Sequence, residues 1–595
     1  MINNKETLIG RVVSIKGNLV SVRMSEKSFS LMPVINGVVY KVGQPGSFLK
    51  IPLGYANLYG IVTQIGVDAI PESLKELTFD NIEKLFATRW LTMVLIGEKT
   101  VSQFERGITQ FPTAEDEVHI VTNEDLSVIY GGLDERSSIS VGNISASESL
   151  PAKLNLNKLV TRHCAILGST GSGKSNTVAV LMESIANSDY KSSRILVIDP
   201  HGEYNDSLKE ESKIYKIKSD PKKIQSELYI PFWALPFNEL INIFPKGLND
   251  KQLDYVRGKV LEKKIEWIKS NEQEEKLKIE SVTADSPIPF SIKQLWFELD
   301  DFEKQTFEEN RDPTNKKLNK KGDPNKLISN EYEPAGAGSS KPFINHQAQG
   351  ILSFLDGMRN RMLDQRYNFL FSLGDLTPDL SGAVKKDLHE LLTEWLGHDK
   401  PITILDLSGI PSEIMTPISG SILKIIYDSL FWGQELNVGG RKQPLLIVLE
   451  EAHNYLKAGE KSISSRTVQT IAKEGRKYGV GLILVTQRPT ELDETVLSQC
   501  GTTIALRMNN KGDRGHVSAA VQDELANMTD LLPSLKTGEG LIIGEAVKIP
   551  SRIQFRKISK APKSTDPDVT KQWMLDRPDK NEYTTIVENW RNQQF

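Results

Sequence analysis

The sequence predicts an α/β protein: a sheet of mostly parallel strands around a phosphate-binding loop, carrying a helical insertion and preceded by a small β-barrel. Three observations predict it. Gly168-Ser169-Thr170-Gly171-Ser172-Gly173-Lys174-Ser175 fits the GxxxxGK[ST] pattern between an apolar run, His163–Leu167, and a helically spaced one, Asn176–Met182. Near-continuous apolar runs recur at Arg194–Asp199, Ile402–Leu407, Pro444–Glu451, Val480–Gln487 and Thr502–Leu506, as in parallel strands buried on both faces. The first 150 or so residues are instead short β-prone runs parted by Gly, Pro and Asn, the pattern of a small closed barrel.

Composition sets the bounds. A chain of 595 residues holds more than one domain, and 39% hydrophobic with 25% charged residues is ordinary for a globular protein. The net charge of −4 gives no global sign of a nucleic-acid partner, although a basic groove or pore is a local feature that a total does not report. The two cysteines, Cys164 and Cys500, have no second ligand at zinc spacing, so a reducing compartment fits. The N-terminus lacks the apolar core of a signal peptide, and no apolar run is long enough to span a bilayer. The expectation is a cytoplasmic protein with no membrane partner.

In order along the chain, residues 1–150 form the expected barrel. It opens on two alternating runs, Ile9–Lys16 and Leu19–Val22, joined at Gly17-Asn18, a hairpin signal. Further short runs follow at Val38-Val39-Tyr40, Ser47–Ile51, Leu58–Val62, Leu91–Ile96 and Val118–Val121. Residues 151–560 form the α/β core, where strand, helix and strand imply a right-handed parallel crossover. A helical insertion occupies about 245–400, with apolar spacing in Leu253, Val256, Val260, Ile265 and Ile268. Inside it, the polar stretch 308–343 reads as a solvated loop. Gly540–Gly544 and Ile553–Phe555 read as an edge hairpin, and residues 561–595 as a polar tail.

The loop residues carry the chemistry. Glycines let backbone N–H groups wrap phosphates, and the helix N-terminus adds partial positive charge. Gly168 through Asn176 are the expected nucleotide-binding residues, with Lys174 on the β/γ-phosphates and the Ser175 hydroxyl on Mg²⁺. Two strands end in acids, one at Asp199 and one at Glu450-Glu451. In NTPases with an additional strand and a catalytic glutamate, one acid supports the metal and the next polarises the attacking water. Glu450 is assigned to Mg²⁺, through water, and Glu451 to the base. The bland alternative is that Glu451 caps the following helix. A GTPase reading rests on Asp199-Pro200-His201-Gly202 as DxxG and Asn510-Lys511-Gly512-Asp513 as NKxD. It leaves no room for a switch strand, and it places the two patterns about three hundred residues apart.

The residues resemble the HerA/FtsK group of hexameric DNA-pumping ATPases, and HerA in particular. The likeness rests on Gly168–Asn176 (GSTGSGKSN), Asp199–Tyr204 (DPHGEY), Leu446–Tyr455 (LIVLEEAHNY), Glu474–Gly479 (EGRKYG) and Thr486–Pro489 (TQRP). The core then resembles a RecA-like motor and the N-terminal stretch a HAS-barrel. Glu450 departs from the Asp of many relatives. The resemblance implies that Arg476 is an arginine finger for the neighbouring subunit's γ-phosphate, that Gln487 senses the γ-phosphate or attacking water, and that Arg162 is an active-site arginine. His201, Glu203 and Tyr204 would order the site, and His453 would serve as a structural hydrogen-bonding residue.

The same resemblance implies ATP and Mg²⁺ as cofactors, a homohexamer, and double-stranded DNA as the track. A ring on DNA needs cationic loops that grip phosphates without reading bases. The loop 457–466 supplies Lys457, Lys461 and Arg466 as DNA-contact candidates. HerA proteins work with a separate effector, a nuclease or a sirtuin-like NAD-consuming subunit. The expected dock is the barrel, and bacterial anti-phage defence is one expected setting. The other function class is an NTP-gated ring scaffold that activates a partner while moving DNA little.

Overall fold

The Gly17-Asn18 pair turns the chain as its sequence predicts. Strands β1 (Leu8–Lys16) and β2 (Leu19–Met24) pair antiparallel with Lys16 opposite Leu19. With β3 (Phe48–Leu53), β4 (Ala56–Gly66), β5 (Trp90–Lys99), β6 (Phe104–Arg106) and β7 (Glu117–Ile120) they form a sheet in the order β2-β1-β7-β3-β4-β5-β6. A β2–β5 ladder closes six of these strands into an antiparallel barrel. Alternation does the work: Val12, Val20, Val22, Leu49, Ile51, Leu58 and Val118 point inward and are fully buried. Val38–Val39 pairs separately with Val34–Ile35. The computed structural model describes residues 7–25, 34–35, 38–39, 43–66, 89–100, 104–131, 135–145, 147, 150–217, 219, 225–271, 277–309, 314–336, 341–410, 412–460, 462–519, 523–563, 569–575 and 582–592.

The second sheet has twelve strands. After helix α1 (Asn123–Tyr130) come β8 (Ser138–Ile144), β9 (Pro151–Asn155), β10 (Cys164–Leu167), helix α2 (Lys174–Ala186), β11 (Arg194–Asp199), β12 (Ser212–Lys216) and β13 (Ser226–Glu227). Beyond the insertion lie β14 (Ile402–Asp406), β15 (Leu445–Leu449), β16 (Val480–Thr486), β17 (Thr502–Leu506), β18 (Glu539–Gly544) and β19 (Ser551–Phe555). The order is β9-β8-β19-β18-β17-β10-β16-β15-β11-β14-β12-β13, parallel from β17 to β13 and antiparallel beyond β17. Adjacent residues of one strand feed opposite cores: Leu196 and Ile198 face the side carrying the insertion, Ile195 and Val197 the side carrying α2.

Two sequence expectations change here. Strand β8, within the stretch 1–150, pairs with β19 and with β9 of the expected core, so it belongs to the twelve-stranded sheet and barrel pairing stops at Ile120. The β18–β19 hairpin expected at the sheet edge is internal, because β8 pairs with β19 and β9 covers β8.

The insertion is helical as expected, with α3 (Asp250–Ser270), α4 (Ile292–Lys304), α5 (Leu352–Leu363) and α6 (Leu388–Leu396). It buries Trp233, Trp296 and Trp395 in one core with α7 (Ser412–Trp432) and α8 (Ile463–Glu474). The stretch 308–343 is more ordered than a solvated loop. Thr306–Phe307 pairs with Phe343–Ile344 and Leu318–Lys320 with Glu331–Tyr332. Four of its lysines are held in ion pairs, Lys316 with Asp301, Lys317 and Lys341 with Glu308, and Lys320 with Glu331. The tail holds two helices, α9 (Val569–Trp573) and α10 (Glu582–Asn592). Barrel and sheet share a third core, where Phe48, Tyr59, Ile61 and Val94 meet Leu167, Ala505 and Leu541. No helix among the described residues is long and apolar enough to cross a membrane.

Candidate nucleotide site

The phosphate loop follows the carboxyl end of β10, where open α/β sheets bind ligands. Gly171 (φ +71°) and Gly173 (φ +102°) adopt left-handed conformations that glycine takes without steric cost. Gly173 is the N-cap of α2 and no side chain caps that helix, so its first amides and positive dipole end stay available to an anion. Ser172 Oγ is buried without a hydrogen-bond partner. Lys174 Nζ donates to Ser169 O at 3.3 Å, and desolvation lowers its pKa against the pull of Glu451, Glu450 and Glu203.

The acids stand two strands away. β16 lies between β10 and β15, so one strand separates the phosphate loop from Glu450 and Glu451. Glu450 is 6% exposed, and burial pushes its pKa to about 8, helped by Asp199, Glu203 and Glu451 and opposed by a hydrogen bond from the Tyr204 hydroxyl. Glu451 sits at φ +46°, a strained backbone for a residue with a side chain. The helix-cap alternative fails, since Glu451 precedes a short 3₁₀ turn without capping it. His453 Nδ1 lies 3.2 Å from Glu451 Oε2 but aligns with Thr486 Oγ1 at 3.1 Å. Glu451 Oε2 is thus buried with no aligned partner. Burial lowers the His453 pKa, so this ring is neutral near pH 7.

Asp199 has a structural role. Its carboxylate accepts the N–H groups of His201 (3.1 Å), Gly202 (2.8 Å) and Tyr204 (3.2 Å), which folds the turn that delivers Tyr204 to Glu450. Burial raises its pKa to about 7. Gln487 follows β16 beside the loop and accepts from Thr170 Oγ1 at 2.5 Å. Arg507 escapes sequence reading: its carbonyl accepts from Ser169 N (3.0 Å) and Oγ (2.8 Å), and its guanidinium donates to Gly171 O at 3.3 Å. The only signal was its place after β17, next to the loop strand.

Asn176 does not have its side chain on the nucleotide side. Its Nδ2 donates to Arg556 O (2.9 Å) and its Oδ1 accepts from Ile558 N (3.2 Å). Residues 556–563 thereby form a strap across α2 that ends with Lys563 N on Glu203 O at 3.0 Å. Arg162 lies before β10, at the opposite end of that strand from the loop, 3.6 Å from Glu545. It does not line this site.

Arg476 is exposed on a 3₁₀ turn, Gly475–Tyr478, at the amino end of β16, the end opposite the phosphate loop. Among the DNA-contact candidates, Lys457 is exposed, Lys461 lies outside the described residues, and Arg466 departs from expectation. Ser462 caps α8, so Arg466 is helical, and it is ion-paired with Glu239, which precedes the insertion, rather than free in a loop.

The arrangement fits a magnesium–nucleoside triphosphate: an uncapped helix end and a desolvated lysine for phosphates, Ser175 and the buried Glu450 for the ion, and Glu451 for a water. A family model described as the HerA helicase central domain matches residues 139–426, and one for a HerA-like helicase C-terminal domain matches 419–586. The DNA double-strand break repair helicase HerA of Sulfolobus acidocaldarius is 26% identical over 524 residues, 87% of this chain and 89% of that protein. Its counterpart in Sulfurisphaera tokodaii is 25% identical over 562 residues, 93% and 97% of the two chains. The solved structure of VirB4 from Thermoanaerobacter pseudethanolicus aligns with a TM-score of 0.45 at 15% identity, over 73% of this chain and 99% of that one.

Proposed function

This chain belongs to the HerA helicase family and is a P-loop ATPase of the helicase or translocase type; from that premise we propose that it works as a homohexameric, ATP-driven translocase on double-stranded DNA. The observation that carries the reading is the strand order. With β16 between the loop strand and the Glu450-Glu451 strand, Gln487 emerges between phosphate loop and acid pair, already bonded to Thr170.

Each residue then has a task. The loop amides and Lys174 hold the β- and γ-phosphates. Ser175 and, through water, Glu450 would hold Mg²⁺, which would supply positive charge to offset that of the phosphate oxygens. Glu451 orients the attacking water and accepts its proton, and its oxygen Oε2, buried without a hydrogen bond, supports that role. Gln487 is placed to feel the γ-phosphate. Arg476, too far from its own site, serves the neighbouring subunit's phosphates, which makes turnover depend on the ring.

The effector chemistry, a nuclease or a sirtuin-like NAD-consuming activity, is assigned to a separate chain docked on the barrel, in DNA processing or anti-phage defence. Tyr55 and Phe111, 70% and 50% exposed on adjoining barrel loops, support that dock. The reading of an NTP-gated scaffold is favoured by the ion pair that occupies Arg466. ATP turnover with and without linear duplex DNA, at two salt concentrations, separates the two. A translocase shows DNA stimulation that fades at high salt; turnover indifferent to DNA overturns it in favour of the scaffold.

A further inference from the structure

The turn that carries Arg476 is braced far more tightly than an exposed 3₁₀ turn requires. Its C-terminal glycine, Gly479 (φ +68°), meets Gly440 backbone to backbone. A Cβ on Gly440 would stand 1.9 Å from Tyr478 O, and one on Gly479 would stand 1.8 Å from Gly440 O, so neither position accepts a side chain. The Tyr478 ring packs on Phe431 and Tyr427 of α7, at centroid distances of 4.9 and 6.1 Å. Beside this contact, Arg441 Nε donates to Lys477 O at 3.0 Å, and Arg441 Nη1 is paired with Glu435 at 2.6 Å. Arg441 and Glu435 are 49% and 75% exposed, so their pair adds little to stability. Its effect is geometric: it fixes the carbonyl one residue beyond Arg476.

We infer that Arg441, oriented by Glu435, is a positioning residue that aims the Arg476 turn at the neighbouring subunit's nucleotide. This rests on the reading of Arg476 as a finger acting in trans. Arg476 itself has no ion pair among the described residues, and it shares its turn with Lys477, whose carbonyl Arg441 holds. A finger stabilises charge that develops only in the transition state, so its misplacement lowers kcat and leaves ATP binding alone. A displacement of about 1 Å is worth on the order of 10²-fold in rate.

The test uses the full-length ring. Arg441→Gln is expected to lower kcat about 10- to 100-fold with KM for ATP within about twofold, while Arg441→Lys, which retains a donor, recovers part of the loss. The decisive readout is complementation. Mixed with Glu451→Gln subunits, which keep an intact finger turn, Arg441→Gln subunits regain turnover, because each supplies what the other lacks. A merely structural defect within the Arg441→Gln subunit gives no such recovery. Arg476→Ala is run in parallel. If Arg476→Ala complements and Arg441→Gln does not, or if Arg441→Gln keeps full kcat, the positioning role is overturned and the finger stands. If Arg476→Ala keeps full turnover, the finger reading falls and this inference with it.

Discussion

At the residue scale, the site turns on Glu451, whose carboxylate oxygen Oε2 is buried without an aligned partner and whose backbone is held at φ +46°. Strain of this kind persists where surrounding structure enforces it. Glu451→Gln preserves shape and removes basicity. ATP turnover is expected to fall about 10²- to 10⁴-fold with nucleotide affinity within about threefold, read by steady-state kinetics beside equilibrium binding. A second residue reports on pH. His163 is buried at φ +55°, its Nδ1 accepts the Leu482 N–H at 3.1 Å, and burial lowers its pKa from 6.5 to about 4. Between those values the unfolded chain binds a proton that the folded chain refuses, so stability is lost as pH falls from about 6.5 towards 4 and is fully present above that window. The loss is at most about 3 kcal/mol. His163→Asn, which tolerates the left-handed backbone, is expected to flatten this acid-side slope in urea unfolding at pH 7 and pH 5.

At the scale of elements, the parallel strands were legible because both faces of each are buried and the runs are apolar throughout. The phosphate loop was legible because glycine, lysine and serine are each needed at fixed spacing. Strand β8 falls in the stretch expected for the barrel for a physical reason: Ile139 and Val141 alternate with exposed or half-exposed neighbours, a pattern that does not say which sheet they join, and only pairing with β19 reveals it. Arg466 was taken for a loop residue although Ser462, three residues before Ser465, is a legitimate helix start. The strap 556–563 was invisible, since Asn176 and Arg556 are joined only by folding. Asn176→Ala removes both of its bonds to the strap. It is expected to cost about 1–2 kcal/mol and to speed tryptic cleavage at Lys557, Lys560 and Lys563, measured by limited proteolysis with and without ATP.

At the scale of the whole molecule, barrel and motor are joined by a shared apolar core. Phe48 is 7% exposed there and meets Tyr130 edge to face at 6.1 Å. Phe48→Ala is expected to destabilise that junction by about 3–5 kcal/mol, seen in calorimetry as an earlier, separate transition of the barrel. The order of the large sheet carries one more consequence, for the way the protein is made. The strand bearing the phosphate loop ends at Leu167, yet both strands that flank it begin only at Val480 and Thr502. A ribosome adding about 5–20 residues each second leaves that apolar strand without neighbours for roughly 15–60 s. The nucleotide pocket is therefore a late product of synthesis, assembled only when the chain through Leu506 has left the exit tunnel, and a nascent chain halted before then presents the loop without the sheet that holds it.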